Sequence, residues 1–119
     1  MKALFLALLI STTAFAFGTT ADPVKASIND EMQIKLPADI ALQSVYILDI
    51  SSLEFNDESQ AKQFFGMFTE NVVHYAVNYD AMEVEIHLHS YADPEWNLDQ
   101  WNTYFSNRSA KMQAVYSSL

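Results

Sequence analysis

A small α+β domain is predicted, and three stretches of the chain carry the prediction. Residues 45–50 form a nearly continuous apolar run, which is typical of a central strand buried on both faces. Apolar residues at positions 61, 64, 65 and 68 recur at the spacing of a core-facing helix. Residues 73–89 alternate apolar and polar side chains in two arms, which indicates an antiparallel hairpin with one solvent-exposed face.

The first helix has a recognisable start. Asn56 is a suitable N-cap residue, because its side chain can accept a hydrogen bond from a free backbone N–H of the first turn. Asp57 and Glu58 then place negative charge where the helix dipole favours it. We therefore expect a helix that begins just after residue 56.

A second helix is predicted after the hairpin. The Asp-Pro-Glu stretch at residues 93–95 is a helix-start pattern, since proline is tolerated in the first turn. Leu98, Trp101 and Phe105 supply the apolar stripe of this helix. Residues 107–119 fit either a continuation of the helix or a short fourth strand, and the pattern leaves both open.

The segment before the main domain is more polar. Residues 17–43 are predicted to be a flexible leader, and the domain itself is expected to span residues 44–119. Within the leader, Met32, Ile34 and Leu36 alternate with polar neighbours up to Pro37, which predicts one short half-buried strand.

The first sixteen residues have the pattern of a secretory signal peptide. Lys2 precedes an apolar run over residues 3–10, and Ala-Phe-Ala at residues 14–16 is a suitable cleavage site. The run is much shorter than the ~20 residues that span a membrane. We therefore expect a secreted or periplasmic protein, cut after residue 16 or residue 21, with no stable membrane anchor.

Composition narrows the functional classes. The 119 residues include 15 acidic and 6 basic side chains and carry a formal net charge of −9, so we expect no nucleic-acid partner. There is no cysteine, which excludes disulfides, thiol catalysis and cysteine-ligated metals. Two glycines are too few for a phosphate-binding loop, and no Gly-x-Ser-x-Gly or His-Glu-x-x-His motif occurs. We expect no enzymatic activity.

The element order is strand, helix, strand, strand, helix and an optional last strand. With right-handed crossovers this order predicts a ferredoxin-like βαββα(β) sandwich, an antiparallel sheet with two helices on one face. Over residues 44–105, and at the strand–loop–helix start of residues 45–53, the layout resembles the heavy-metal-associated domain family, which binds soft metals through two cysteines in the first loop. Residues 51–58 contain no cysteine, so the resemblance implies the fold and no metal-binding residue.

The alternation of side chains between the two faces of the hairpin brings the three histidines of the chain together. The tightest register that keeps both apolar arms on one face pairs His74 with His87, and His89 follows on the same face with Glu85 beside it. Opposed Cβ atoms in a sheet lie about 5 Å apart, so these imidazoles could share zinc, nickel or copper(II), with Glu85 as a fourth ligand. Alternatively, the three histidines are ordinary polar residues on the solvent-exposed face of the hairpin, or they act together as a pH sensor.

The function predicted from these observations is an exported, non-enzymatic module that binds another protein or a small ligand, or that self-associates. Helices cover one face of the strand at residues 45–50. The other face needs cover from residues 32–36 and 40–45, or from a second copy in a homodimer through the open sheet face. The alternative function is a weak divalent-metal-binding module that uses the histidines.

Overall fold

The computed structural model describes residues 23–89 and 96–119, which form one five-stranded sheet and two helices. In chain order the elements are β1 Val24–Ile28, β2 Ile34–Lys35, β3 Val45–Asp49, α1 Glu58–Met67, β4 Val73–Asn78, β5 Glu83–Leu88 and α2 Leu98–Ser117. The α+β class predicted from the sequence is therefore confirmed.

The sheet is mixed, with strand order β2-β1-β3-β5-β4. Strand β5 pairs antiparallel with both β3 and β4, whereas β1 runs parallel to β3 with Val24 opposite Tyr46. The prediction of an antiparallel sheet is wrong on this point. The reason is that residues 29–44 are long enough for the crossover that parallel neighbours need, about a dozen residues or more.

The described part of the chain has no strand after the second helix. Residues 107–117 continue α2, and Met112 is buried in the core, so the alternative of a fourth strand is wrong. The sheet position beside β3 is filled from the N-terminal side of the chain, by β1. This strand order is not that of a clear ferredoxin-like βαββα fold.

Two strands lie within the predicted leader, where the sequence indicated one. Residues 17–22 lie outside the described residues, but β1 and β2 both belong to the stretch before Ser44. Ile34 and Leu36 are fully buried, and the Leu36 N–H donates to Asn102 Oδ1 of α2 at 2.8 Å. The Asn102 amide donates back to the Leu36 carbonyl at 3.2 Å, which ties this segment to the helix layer.

Both helices begin at side-chain caps. The N-cap of α1 is Asp57, whose carboxylate accepts from the Gln60 N–H at 2.9 Å, one residue later than the predicted Asn56. Asn97 and Gln100 form a capping box at the start of α2. The predicted helix-start pattern at residues 93–95 lies outside the described residues.

The core lies on one face of the sheet and includes both helices. Phe64 of α1 contacts Tyr116 of α2 with ring centroids 6.0 Å apart, and the two helices therefore cover the same face. The buried strand and helix residues of this layer are Ala26, Ile34, Tyr46, Leu48, Ala61, Phe64, Phe65, Val73, Tyr75, Val84, Ile86, Leu88, Trp101, Phe105 and Met112.

Candidate functional site

The hairpin has the predicted register. His74 lies opposite His87, and Ala76 lies opposite Glu85. Tyr75 and Ile86, which are also paired, are buried on the helix side of the sheet. Because side chains alternate strictly along a strand, burying those apolar residues sends the histidines to the opposite face.

The predicted ligands are neighbours in the sheet. The rings of His74 and His87 have centroids 6.0 Å apart, and His87 Nε2 lies 3.0 Å from Glu85 Oε1. One third of the His87 side chain and half of the Glu85 side chain are exposed, so solvent screens this contact. His89 follows the end of β5, where its backbone N–H donates to the Val72 carbonyl at 2.8 Å.

No preformed coordination sphere is present in the described residues. Across residues 23–89 and 96–119, no group of three or more histidine, cysteine, aspartate or glutamate side chains is arranged to hold a metal ion. The register brings together His74 with His87 and His87 with Glu85, which gives pairs of ligands rather than a set of three or four.

The histidines belong to a larger surface, the outer face of the sheet. We define the outer face as the strand side chains that point away from the helices: Lys25, Ser27, Lys35, Val45, Ile47, Asp49, His74, Ala76, Asn78, Glu83, Glu85 and His87. Val45, Ile47 and Ala76 are half-buried. Val45 and Ile47 lie on the central strand β3, whereas Ala76 lies on the edge strand β4, beyond Glu85. The prediction that residues 45–50 are buried on both faces is therefore only half right: Tyr46 and Leu48 are buried, and Val45 and Ile47 are not.

Neither internal segment expected to cover the outer face does so. Met32, Ile34 and Leu36 are buried in the core that also holds the helices. Ile40 and Leu42 are 42% and 40% exposed and do not belong to the residues packed against the core. Within the described residues the outer face is open.

Charge is segregated across this face. Lys25 and Lys35 lie on β1 and β2, whereas Asp49, Glu83 and Glu85 lie on β3 and β5. The pKa of Asp49 is lowered because its carboxylate accepts from the backbone N–H of Ser51 at 2.8 Å and from the Ser51 hydroxyl, with a further lowering by Lys25. One flank of the face is thus basic and the neighbouring strands are acidic.

The β4 edge of the sheet is partly closed. Strand β4 is the outermost strand on one side, and its Val73 carbonyl accepts from the Glu70 N–H at 2.7 Å. The Tyr75 N–H, which also faces outwards, donates to Thr69 Oγ1 at 3.2 Å. Occupied edge groups discourage the addition of another strand. The outer face is therefore the more available surface for a partner.

A polar cluster that sequence reasoning missed joins α2 to the loop between α1 and β4. Tyr104 and Arg108 both donate hydrogen bonds to Glu70 Oε2, and the Arg108 guanidinium lies 5.4 Å from the centre of the Tyr104 ring. Burial, followed by the hydrogen bond to Glu70, raises the pKa of Tyr104 to about 12. The spacing of Tyr104 and Arg108 places both on one helix face, but their common partner is distant in sequence.

A groove lies at the end of the sheet near the hairpin turn. It has a volume of about 620 Å³ and is lined by Leu53, Glu54, Phe55, Asn56, Gln60, Tyr79, Met82, Tyr116 and Leu119. The Tyr116 hydroxyl accepts from the Glu54 N–H at 2.7 Å, which fixes one wall of the groove. Its lining contains none of the histidines.

Neither helix of the described chain, residues 23–89 and 96–119, has the length and apolar character needed to cross a membrane. Comparison with known proteins gives no match: no family model, no curated protein and no solved structure matches the chain. The resemblance to heavy-metal-associated domains thus rests on the order of elements alone.

Proposed function

We propose that the protein is an exported, non-enzymatic binding module and that the outer face of its sheet is the interaction surface. The observation that supports this most is the half-buried apolar pair Val45 and Ile47 on the central strand, which no described segment covers. An apolar centre within a polar, charged surround is the usual anatomy of a protein interface.

The central strand makes this surface rigid. β3 is paired on both sides, with β1 and with β5, so the backbone that carries Val45 and Ile47 is held in place before any partner arrives. Binding to a preformed surface loses little conformational entropy, and more of the contact energy then appears as affinity.

Export rests on the first sixteen residues, with their basic start, apolar run and Ala-Phe-Ala end. A cysteine-free chain is compatible with an oxidising compartment and has no thiol to mispair there. We expect the mature protein in the exported fraction and the residue after position 16 or 21 at its N-terminus.

A ferredoxin-like origin is also part of the proposal. From β3 to α2 the chain order is strand, helix, strand, strand, helix, and β5 lies between β3 and β4. Strands β1 and β2 would then be an addition that replaces the usual last strand and adds the basic flank of the outer face.

Site-directed photo-cross-linking in the producing organism tests the interaction surface. A photo-activatable amino acid in place of Ala76, on the outer face, is expected to give one discrete adduct, which Ile47→Lys abolishes. The same probe in place of Gln63, exposed on α1, is the matched control and is expected to give no such adduct. Equal adducts from both positions, or none from Ala76, would overturn the proposal.

A divalent-cation site is the second candidate function. It is favoured by one observation, the direct opposition of His74 and His87 with Glu85 in contact. Calorimetric titration of the mature protein with Zn²⁺ tests it, because heat is expected from the wild type and not from His87→Ala. Absent heat, or heat that survives His87→Ala, ends this candidate.

A further inference from the structure

We infer that the outer face binds a second copy of the same chain, in a twofold-symmetric sheet-to-sheet contact centred on Ile47. The inference rests on the proposed function, since it names the partner of the surface proposed there. It is carried by the order of charges across three adjacent strands.

One row of the outer face runs straight across the sheet. The strand registers place Lys25 beside Ile47 and Ile47 beside Glu85. Neighbouring strands lie about 4.8 Å apart, so Lys25 and Glu85 flank Ile47 at equal distances and are about 10 Å from each other. The row is positive, apolar and negative, with the apolar residue at its centre.

Such a row is complementary to itself. A twofold axis that runs along β3 and passes over Ile47 exchanges the two flanks of the sheet, because the strand on the left of one copy then lies over the strand on the right of the other. Lys25 then faces the partner's Glu85, and Glu85 faces the partner's Lys25. The two Ile47 side chains meet on the axis, as an isologous interface requires.

Other features of the face fit the same axis. Val45 precedes Ile47 on the same side of β3, so the two Val45 side chains extend the apolar contact along the axis. Aligned sheets pack about 10 Å apart with strand directions within about 30° of each other, which leaves room for Ile and Val side chains from both copies.

A second copy is favoured over internal cover by the exposed positions of Ile40 and Leu42 and by the burial of Met32, Ile34 and Leu36 in the helix-side core. It is favoured over pairing through the β4 edge because Thr69 and Glu70 occupy edge groups of that strand. The net negative charge of each copy opposes association at low salt, so measurements belong near 0.15 M ionic strength, where the screening length is about 8 Å.

Charge reversal tests the arrangement by sedimentation equilibrium on protein purified after export. The wild type is expected to dimerise. Lys25→Glu and Glu85→Lys each place like charges together twice per dimer, so each is expected to weaken dimerisation at least roughly tenfold. An equimolar mixture of the two variants restores opposite charges at both contacts and is expected to dimerise again, as is the double variant.

Two controls complete the experiment. Lys62→Glu makes the same charge change on the exposed surface of α1 and is expected to leave the dimer unchanged. Ile47→Glu, which puts like charges on the axis, is a second route to the monomer if either reversal variant fails to unfold cooperatively in a thermal scan.

A monomeric wild type, or a mixture that stays monomeric, would overturn the inference. The interaction surface itself would survive that result if the probe at Ala76 still gave an adduct with a different protein. The loss of both the dimer and the adduct would remove the proposed function as well.

Discussion

The hydroxyl of Thr69 accepts a hydrogen bond from the backbone N–H of Tyr75, 3.2 Å away, and so occupies one outward-facing group of the free sheet edge. The same hydroxyl donates to the Phe65 carbonyl in the last turn of α1 at 3.4 Å. One side chain thus ends a helix and protects the neighbouring strand. Unprotected edges recruit strands from other molecules, so this contact bears on solubility as well as stability.

Removal of that hydroxyl is expected to destabilise the fold. Thr69→Val keeps the shape of the side chain but leaves the Tyr75 N–H without its partner, which should lower the free energy of unfolding by about 1–3 kcal/mol. Thr69→Ser keeps the hydroxyl and is the matched control, expected near the wild type. Urea unfolding measures both, and light scattering should detect faster aggregation of Thr69→Val alone. Equal stabilities would show that the bond contributes nothing.

Met82 ends the hairpin turn in a left-handed conformation, with φ of 52°. Its N–H donates to the Tyr79 carbonyl and its carbonyl accepts from the Ile50 N–H, so the turn cannot relax without losing both bonds. A β-branched residue is poorly accommodated there, whereas glycine is not strained. We expect Met82→Val to destabilise the protein by about 1–2 kcal/mol more than Met82→Gly does, despite the greater hydrophobicity of valine.

Thermal unfolding of the two Met82 variants side by side is the measurement. A side-chain packing explanation gives the opposite order, since the half-buried methionine contacts the core and valine retains more apolar surface than glycine. Met82→Gly less stable than Met82→Val would therefore refute the strain argument.

Local signals explain which parts of this fold were predictable. The stripe of α1 and the parity of the hairpin are each contained within about 20 residues, and the opposition of His74 and His87 follows from that parity alone. Strand β1 was missed although Val24, Ala26 and Ile28 alternate with Lys25 and Ser27, because the run is only five residues long and stands in a polar segment; Ala26 is its one buried residue.

The candidate site was less predictable because its residues come from elements that are distant in sequence. The row of Lys25, Ile47 and Glu85 exists only because β1 pairs in parallel with β3, a contact between segments about 20 residues apart whose register no local pattern specifies. Likewise, nothing in the spacing of Tyr104 and Arg108 indicates that Glu70 is their common hydrogen-bond partner. Sequence patterns describe faces of elements, and sites that span elements depend on how these pack.

Tyr104 makes the free energy of unfolding depend on pH in the alkaline range. Its pKa is raised to about 12 in the folded protein, first by burial and then by its hydrogen bond to Glu70, against an ordinary value near 10 in the unfolded chain. The folded state therefore holds this proton more tightly than the unfolded state. The resulting stability is complete below pH ~10 and is lost as the pH rises through about 12.

The free energy of unfolding of Tyr104→Phe is expected to fall less at alkaline pH than that of the wild type. The difference is expected to be about 1–2 kcal/mol, after allowance for solvent at a half-buried site. Burial also raises the pKa of Tyr75, so some dependence should persist in the variant. Urea unfolding at a series of pH values from 8 upwards measures the slope for both proteins. An unchanged slope in Tyr104→Phe would contradict the assignment.

Asp49 is the one outer-face residue that the inferred dimer places unfavourably. It follows Ile47 on the same side of β3, so a twofold axis along that strand brings the two Asp49 carboxylates of the dimer towards each other. The hydrogen bonds from Ser51 lower the pKa of Asp49, so this carboxylate stays ionised even in mildly acidic solution, and a substitution is a better probe than acid.

Asp49→Asn is therefore expected to strengthen dimerisation several-fold, because it removes a like-charge contact while the asparagine carbonyl can still accept from the Ser51 N–H. Asp39→Asn makes the same charge change in the exposed loop between β2 and β3 and serves as the control for the overall reduction in negative charge. Sedimentation equilibrium compares the two dissociation constants. If both variants strengthen the dimer equally, the effect comes from net charge and Asp49 does not face its counterpart across the axis; if Asp49→Asn alone tightens association, the axis lies along β3.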